Sequence, residues 1–318
     1  MGEGSGRVEG GANRRGNRSD GCGLGQRSGP TTTGSRCVRL PRLPARRSAR
    51  YTAAVPLPIE PHPTLVPFAP TARRTLSVFG ASVELVFVPE RKARQDRATA
   101  ERPAFRRSPA ARIVGEEAFW RGEGHLLTPN RHPFAAAQRL LWPDAPRREP
   151  DAAFWQLCGD WAARSGGSAL VNSVGAAATI ARCHAHLVPE RLPFLDALSE
   201  RPFVVDLVDR PAGVALVTKH VPFCLLGVRG GDSIARAETL VRLAEARLTA
   251  AHNVVLFGDS AWLLPRRLET PAPDFPYPLG AAELWGRWCY QDEEPFAAAT
   301  PAMLERALQA TAMPQLPE

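Results

Sequence analysis

The 318-residue chain has no uninterrupted apolar span of 18 residues and no apolar h-region, which excludes a membrane-spanning helix and a standard secretion signal. It lacks Cys-x-x-Cys and His-Glu-x-x-His, so any metal held by its histidines would need ligands from distant positions, and no metal site is expected. Its six cysteines, Cys22, Cys37, Cys158, Cys183, Cys224 and Cys289, show no tight pairing pattern and read as reduced cytoplasmic thiols. The excess of basic residues lies in one place. Residues 1–50 hold 11 Arg against Glu3, Glu9 and Asp20, which accounts for the whole formal charge of +8. The remainder is neutral, so a nucleic-acid-binding role is not expected of the folded body.

The same N-terminal stretch is rich in Gly, Ser and Arg and has no hydrophobic periodicity, so residues 1–55 are expected to be a disordered leader. A start assigned too far upstream would look the same. Beyond it the composition is that of a globular protein, with 44% hydrophobic and 23% charged residues.

A Pro-rich approach from Pro56 to Pro70 leads to a strand expected over Ser82–Val88 and a charged loop over 90–110. Strands follow over Gly124–Leu127 and Gln138–Trp142. Phe154, Leu157, Cys158 and Trp161 share one face of an amphipathic helix running from Asp151 to Arg164, which Gly166-Gly167 ends. Ala169–Ser173 and Cys183–Val188 complete a β-β-α-β-β order. The order then recurs: strands over Phe203–Val208, Gly213–Val217 and Cys224–Val228, a helix capped by Asp232 or Ser233 and reaching Ala251, and a hairpin over 253–264 turned at Gly258-Asp259-Ser260. Two units, 56–200 and 201–318, are expected in an α+β fold with mostly antiparallel sheets.

Chemistry concentrates in one stretch. Asn172-Ser173-Val174-Gly175-Ala176-Ala177-Ala178-Thr179-Ile180 is followed at once by Cys183-His184-Ala185-His186-Leu187. Side chains alternate along a strand, so His184 and His186 project from one face. Gly175 and the three alanines leave little bulk beside the backbone, so main-chain N–H groups there could approach a phosphate. A close-packed turn would need the same small residues. At the matching place in the second half stands Trp262-Leu263-Leu264-Pro265-Arg266, which has no such chemistry.

From Asn172 to His186 the chain resembles the histidine-triad-like superfamily, nearest to the GDP-hexose phosphorylases (the GDP-L-galactose and GDP-D-glucose enzymes). Diadenosine tetraphosphate phosphorylases and galactose-1-phosphate uridylyltransferases share a looser version of the signature. The resemblance implies two fused histidine-triad-like units and a nucleotidyltransferase. His186 would attack the α-phosphorus of a nucleoside diphosphate hexose, and inorganic phosphate would resolve the nucleotidyl-histidine. His184 would orient the site, while Asn172, Ser173, Gly175 and Thr179 would hold the phosphates and Asn130 the ribose. The expected partners are a nucleotide and phosphate, with no cofactor, membrane or obligate protein partner. A dinucleoside polyphosphate phosphorylase and a catalytically weak nucleotide-binding module are the alternatives. One departure stands out: the family places Gln two residues after the second histidine, where this chain has Val188. Arg182 or Arg191 could supply the missing donor.

Overall fold

Alternating apolar and polar residues dictate paired strands, and the thirteen described strands form two sheets. The computed structural model describes residues 56–92, 114, 116–203 and 207–316. The expected leader and most of the expected 90–110 loop lie outside the described residues.

The larger sheet has ten strands, every neighbouring pair antiparallel. In chain order they are β3 (Trp120–Gly122), β4 (His125–Pro129), β5 (Arg139–Pro143), β6 (Ser168–Asn172), β7 (Ala185–Val188), β8 (Glu200–Pro202), β9 (Val214–Lys219), β10 (Leu226–Gly230), β11 (Ala251–Phe257) and β12 (Ser260–Arg266). In space they run β3-β4-β5-β7-β6-β11-β12-β10-β9-β8. Outward from the β6–β11 pairing, where Asn172 faces Asn253, the two sides follow the same order of successive strands.

Each side carries one long helix between its third and fourth strands. Helix α1 (Ala152–Ser165) starts where the Asp151 carboxylate accepts from the Phe154 N–H at 3.0 Å, and ends at Gly166, whose φ of 66° suits a residue without Cβ. Helix α3 (Ser233–Glu245) repeats the device, with Asp232 accepting from the Ala235 N–H at 2.7 Å. It stops short of the expected Ala251 because Arg247 takes a positive φ and Ala251 already belongs to β11. Both helices cover one face of the sheet, where Phe154, Trp155, Trp161, Leu240 and Leu243 pack on Ala169, Val171, Ala185, Leu187, Val254 and Leu256. Of the strand expected over 203–208, residues 204–206 lie outside the described residues, and β8 stands just before it.

The opposite face was not anticipated from the sequence in full. A second sheet, β1 (Ala72–Val78), β2 (Ala81–Phe87) and β13 (Arg287–Tyr290), packs on it. The β1–β2 hairpin turns through Phe79 and Gly80, both at positive φ as a two-residue hairpin turn requires. Strand β13 joins β2 in parallel, the one parallel pairing among the described strands. Short helices α2 (Phe194–Ala197), α4 (Ala281–Trp285), α5 (Glu293–Ala298) and α6 (Pro301–Thr311) complete this layer. It encloses Trp262, Trp285 and Trp288, none of them reached by solvent.

Candidate functional site

Strand β7 lies inside the large sheet between β5 and β6. Its alternation separates the side chains as expected: Ala185 and Leu187 enter the core beneath the long helices, while His184, His186 and Val188 turn to the opposite face. Both imidazoles are buried, at 5% and 6% exposure, with ring centroids 5.3 Å apart. His184 stacks on Trp142 at 4.6 Å, and His186 tilts against Phe134 at 5.3 Å.

The two rings are held in different ways. His184 Nδ1 lies 2.8 Å from the main-chain carbonyl of Arg182, which can only accept, so Nδ1 carries the proton. His186 Nδ1 lies 2.7 Å from Gln138 Nε2. The orientation of that amide is fixed by a second contact, because the Phe134 N–H donates to Gln138 Oε1 at 2.8 Å. Gln138 therefore donates to His186 Nδ1, and the proton of the neutral His186 ring sits on Nε2.

A small open cleft adjoins His186, lined also by Asn172, Thr179, Arg91, Tyr277 and Glu283 among others. Arg91 is buried; one guanidinium N–H donates to the His132 carbonyl at 2.7 Å, the group lies 5.8 Å from the Phe134 ring centre, and its Nε has no hydrogen-bond partner. Glu283 is buried with its carboxylate accepting from the Gly280 N–H at 2.7 Å. Burial pushes its carboxyl above the usual range, partly opposed by main-chain donors and by Arg91. Tyr277 donates to Asp292 at 2.9 Å, and burial pushes its phenol up to about 12.

The small-residue loop has a structural task. Asn172 Oδ1 accepts from Asn253 Nδ2 at 2.8 Å and from the Ala281 N–H at 2.7 Å, tying the two central strands to the start of α4. Ser173 exchanges hydrogen bonds with the main chain of His252. The Ala176 N–H donates to the Ser173 carbonyl, and the Ala177 N–H to Glu269 Oε1 at 2.9 Å, so these two amides already have acceptors. Gly175, at φ 87°, would place a Cβ 3.2 Å from that of Ala251. Thus Asn172, Thr179 and His186 share the cleft, whereas His184, Ser173 and Gly175 are not among the residues lining it, His184 standing next to it through its contact with His186. Asn130 Oδ1 accepts from the His132 N–H at 3.1 Å, an Asx-type turn, and Asn130 does not line the cleft either.

Neither position 188 nor the two arginines bring a donor to the cleft. Val188 is fully buried in the core between the sheets, so a polar side chain there would meet apolar neighbours. Arg182 is buried, donating to the carbonyls of Pro143 and Asp144, with burial lowering its pKa. Arg191 pairs with Asp196 and lies over Phe257. Neither arginine lines the cleft. Gln138, Trp142, Phe134 and Arg91 were missed from the sequence. Gln138 occupies an expected strand with nothing local to distinguish it, and Arg91 sits among other charges.

No protein-family model and no curated protein matches the sequence. Solved structures do. Yeast Ap4A phosphorylase Apa2 in complex with Ap4A superposes with a TM-score of 0.63 at 15% identity, covering 80% of this chain and 93% of that one. Its complex with AMP gives a TM-score of 0.58 at 16% identity, covering 77% and 89%. The structure of Apa2 alone gives 0.59 at 17% identity, covering 77% and 91%. The α+β architecture expected from the histidine-triad-like resemblance is therefore the one this chain adopts, over nearly the full length of the similar enzyme.

Proposed function

We propose that the protein is a nucleotidyltransferase that cleaves a nucleoside diphosphate hexose, a GDP-hexose first, with inorganic phosphate through a nucleotidyl-histidine. The observation that carries this reading is a pair of adjacent buried imidazoles, His186 lining an open cleft and His184, 5.3 Å from it, held through Nδ1 by a main-chain carbonyl. A ring so held has its lone pair on Nε2, the form that attacks phosphorus. As the N–P bond forms, the bond from the α-phosphorus to the bridging oxygen breaks and hexose 1-phosphate departs with the electron pair. The positive charge developing on the ring is shared with the Nδ1–H and the carbonyl that accepts from it. An oxygen of inorganic phosphate then attacks the same phosphorus, the N–P bond breaks, and a nucleoside diphosphate leaves.

The segments 56–200 and 201–318 are proposed as the two fused units, with both histidines in the first and the cleft beside His186 lined from both. The cysteines Cys158, Cys183, Cys224 and Cys289 are buried outside any disulfide, which supports a reducing, cytoplasmic compartment. Among the described residues no helix is long and apolar enough to cross a membrane. A second reading, a dinucleoside polyphosphate phosphorylase, is favoured by the likeness to the enzyme whose structure holds Ap4A.

The full chain should be incubated with GDP-glucose, ADP-glucose and Ap4A, with and without phosphate. Phosphate-dependent release of a nucleoside diphosphate is expected from at least one. GDP-glucose turnover decides for the first reading and Ap4A turnover for the second. Turnover that persists when His184 and His186 are both replaced by Ala, or none with any of the three, overturns the proposal.

A further inference from the structure

We infer that His184 is the nucleophile and that His186, set by Gln138, is the hydrogen-bond donor to the phosphoryl oxygens. This rests on the nucleotidyl-histidine reading above and reverses the roles that the motif alone assigns. The acceptor of His184 Nδ1–H is the carbonyl two residues earlier, at Arg182, and that carbonyl is fixed because the Arg182 side chain is itself anchored on the main chain of Pro143 and Asp144. The neutral His184 ring consequently presents an unprotonated Nε2. His186 is the converse. Gln138 cannot turn its oxygen to Nδ1 without facing its own N–H₂ to the Phe134 N–H, so His186 keeps its proton on Nε2 and lacks the lone pair there that an attack requires.

The same arrangement accounts for Val188. The donor expected two residues after the attacking histidine is sought at position 188 only if His186 attacks. Counted from His184, that place is His186, whose Nε2–H supplies a neutral donor, and which lines the cleft. Val188 then has no part in the chemistry and packs in the core, as observed. Gln138 acts through His186 and is a positioning residue.

Two readouts on the full chain test this. With ¹⁵N-labelled histidine, long-range ¹H–¹⁵N spectra of the wild type, assigned with His184→Gln and His186→Gln, should show His184 protonated on Nδ1 and His186 on Nε2. Gln138→Glu, whose carboxylate accepts from Nδ1–H, should move a proton of His186 to Nδ1; a purely structural Gln138 would leave the pattern unchanged. Opposite tautomers in the wild type overturn the inference. In the second readout, α-³²P-labelled GDP-glucose and Ap4A are each supplied without phosphate and the acid-labile adduct is mapped. Label on His184 supports the inference. Label on His186 overturns it while leaving the nucleotidyl-histidine reading intact, and no label from either probe, together with no turnover, overturns both. His186→Leu should slow labelling about a hundredfold, the usual effect of one lost transition-state donor, whereas His186→Gln should recover most of that loss.

Discussion

The two sides of the ten-stranded sheet use one backbone plan to different ends. Both begin their long helix with an aspartate cap, Asp151 and Asp232, and both place the strand after the helix at the centre, where β6 meets β11. They part at the last strand of each side. At β7 the face toward the small sheet carries His186, which lines a cleft, with the ring of the preceding His184 5.3 Å from it; on β12 it carries Trp262 and Leu264, sealed in the core. The Trp262 ring has Lys219 Nζ 4.4 Å from its centre, a buried ammonium whose donors go to the Leu198 carbonyl and Glu200. The second side thus turns the same surface into packing. A repeated backbone does not carry its side chains with it, because the two or three residues on one strand face decide between a candidate site and a core.

The largest expected effect is on the packed side. Trp262→Ala removes a fully buried indole and should lower stability by about 3–5 kcal/mol in denaturant titration. If the side merely braces the sheet, the remaining folded protein should still form the nucleotide adduct. A loss of well under 1 kcal/mol would show that β12 is not packed as described.

Val188→Gln comes next. With His186 as the donor, an amide at 188 gains nothing catalytically and leaves a polar group among apolar neighbours, so stability should fall by about 1–3 kcal/mol. A faster enzyme of unchanged stability would contradict this and return the donor role to position 188. Smallest and most symmetrical are the caps. Asp151→Ala and Asp232→Ala should each cost about 1 kcal/mol, because each removes one acceptor from a first-turn N–H; Asp151 also loses its ion pair with Arg147, which at that exposure adds little. A marked inequality, read from chemical-denaturation midpoints, would show that one helix depends on more than its cap.

Much of this plan was legible from local pattern. The Asp151 cap, the spacing of Phe154, Cys158 and Trp161, and Gly166 mark one helix, and alternation alone places His184 and His186 on a common face. What stayed hidden was non-local. The parallel pairing of β13 with β2 joins residues about 200 apart, and neither strand's sequence names its partner. Gln138 reaches His186 only because β5 lies beside β7, and its amide is oriented only because Phe134 returns its N–H to it. The loop from Asn172 to Ala177 reads equally well as a phosphate cradle or as a tight connection. The difference lies in Asn253, His252 and Glu269, which approach it from the other half of the chain.

The central claim is that nucleotide chemistry belongs to β7 and not to β12. A crystal structure of the full chain soaked with GMP tests it most directly. The account expects one nucleotide per chain, its phosphate within hydrogen-bond reach of His186 Nε2 and its phosphorus facing His184 Nε2. A nucleotide seated on the β12 side, or one on the β7 side whose phosphate points away from both imidazoles, would contradict it.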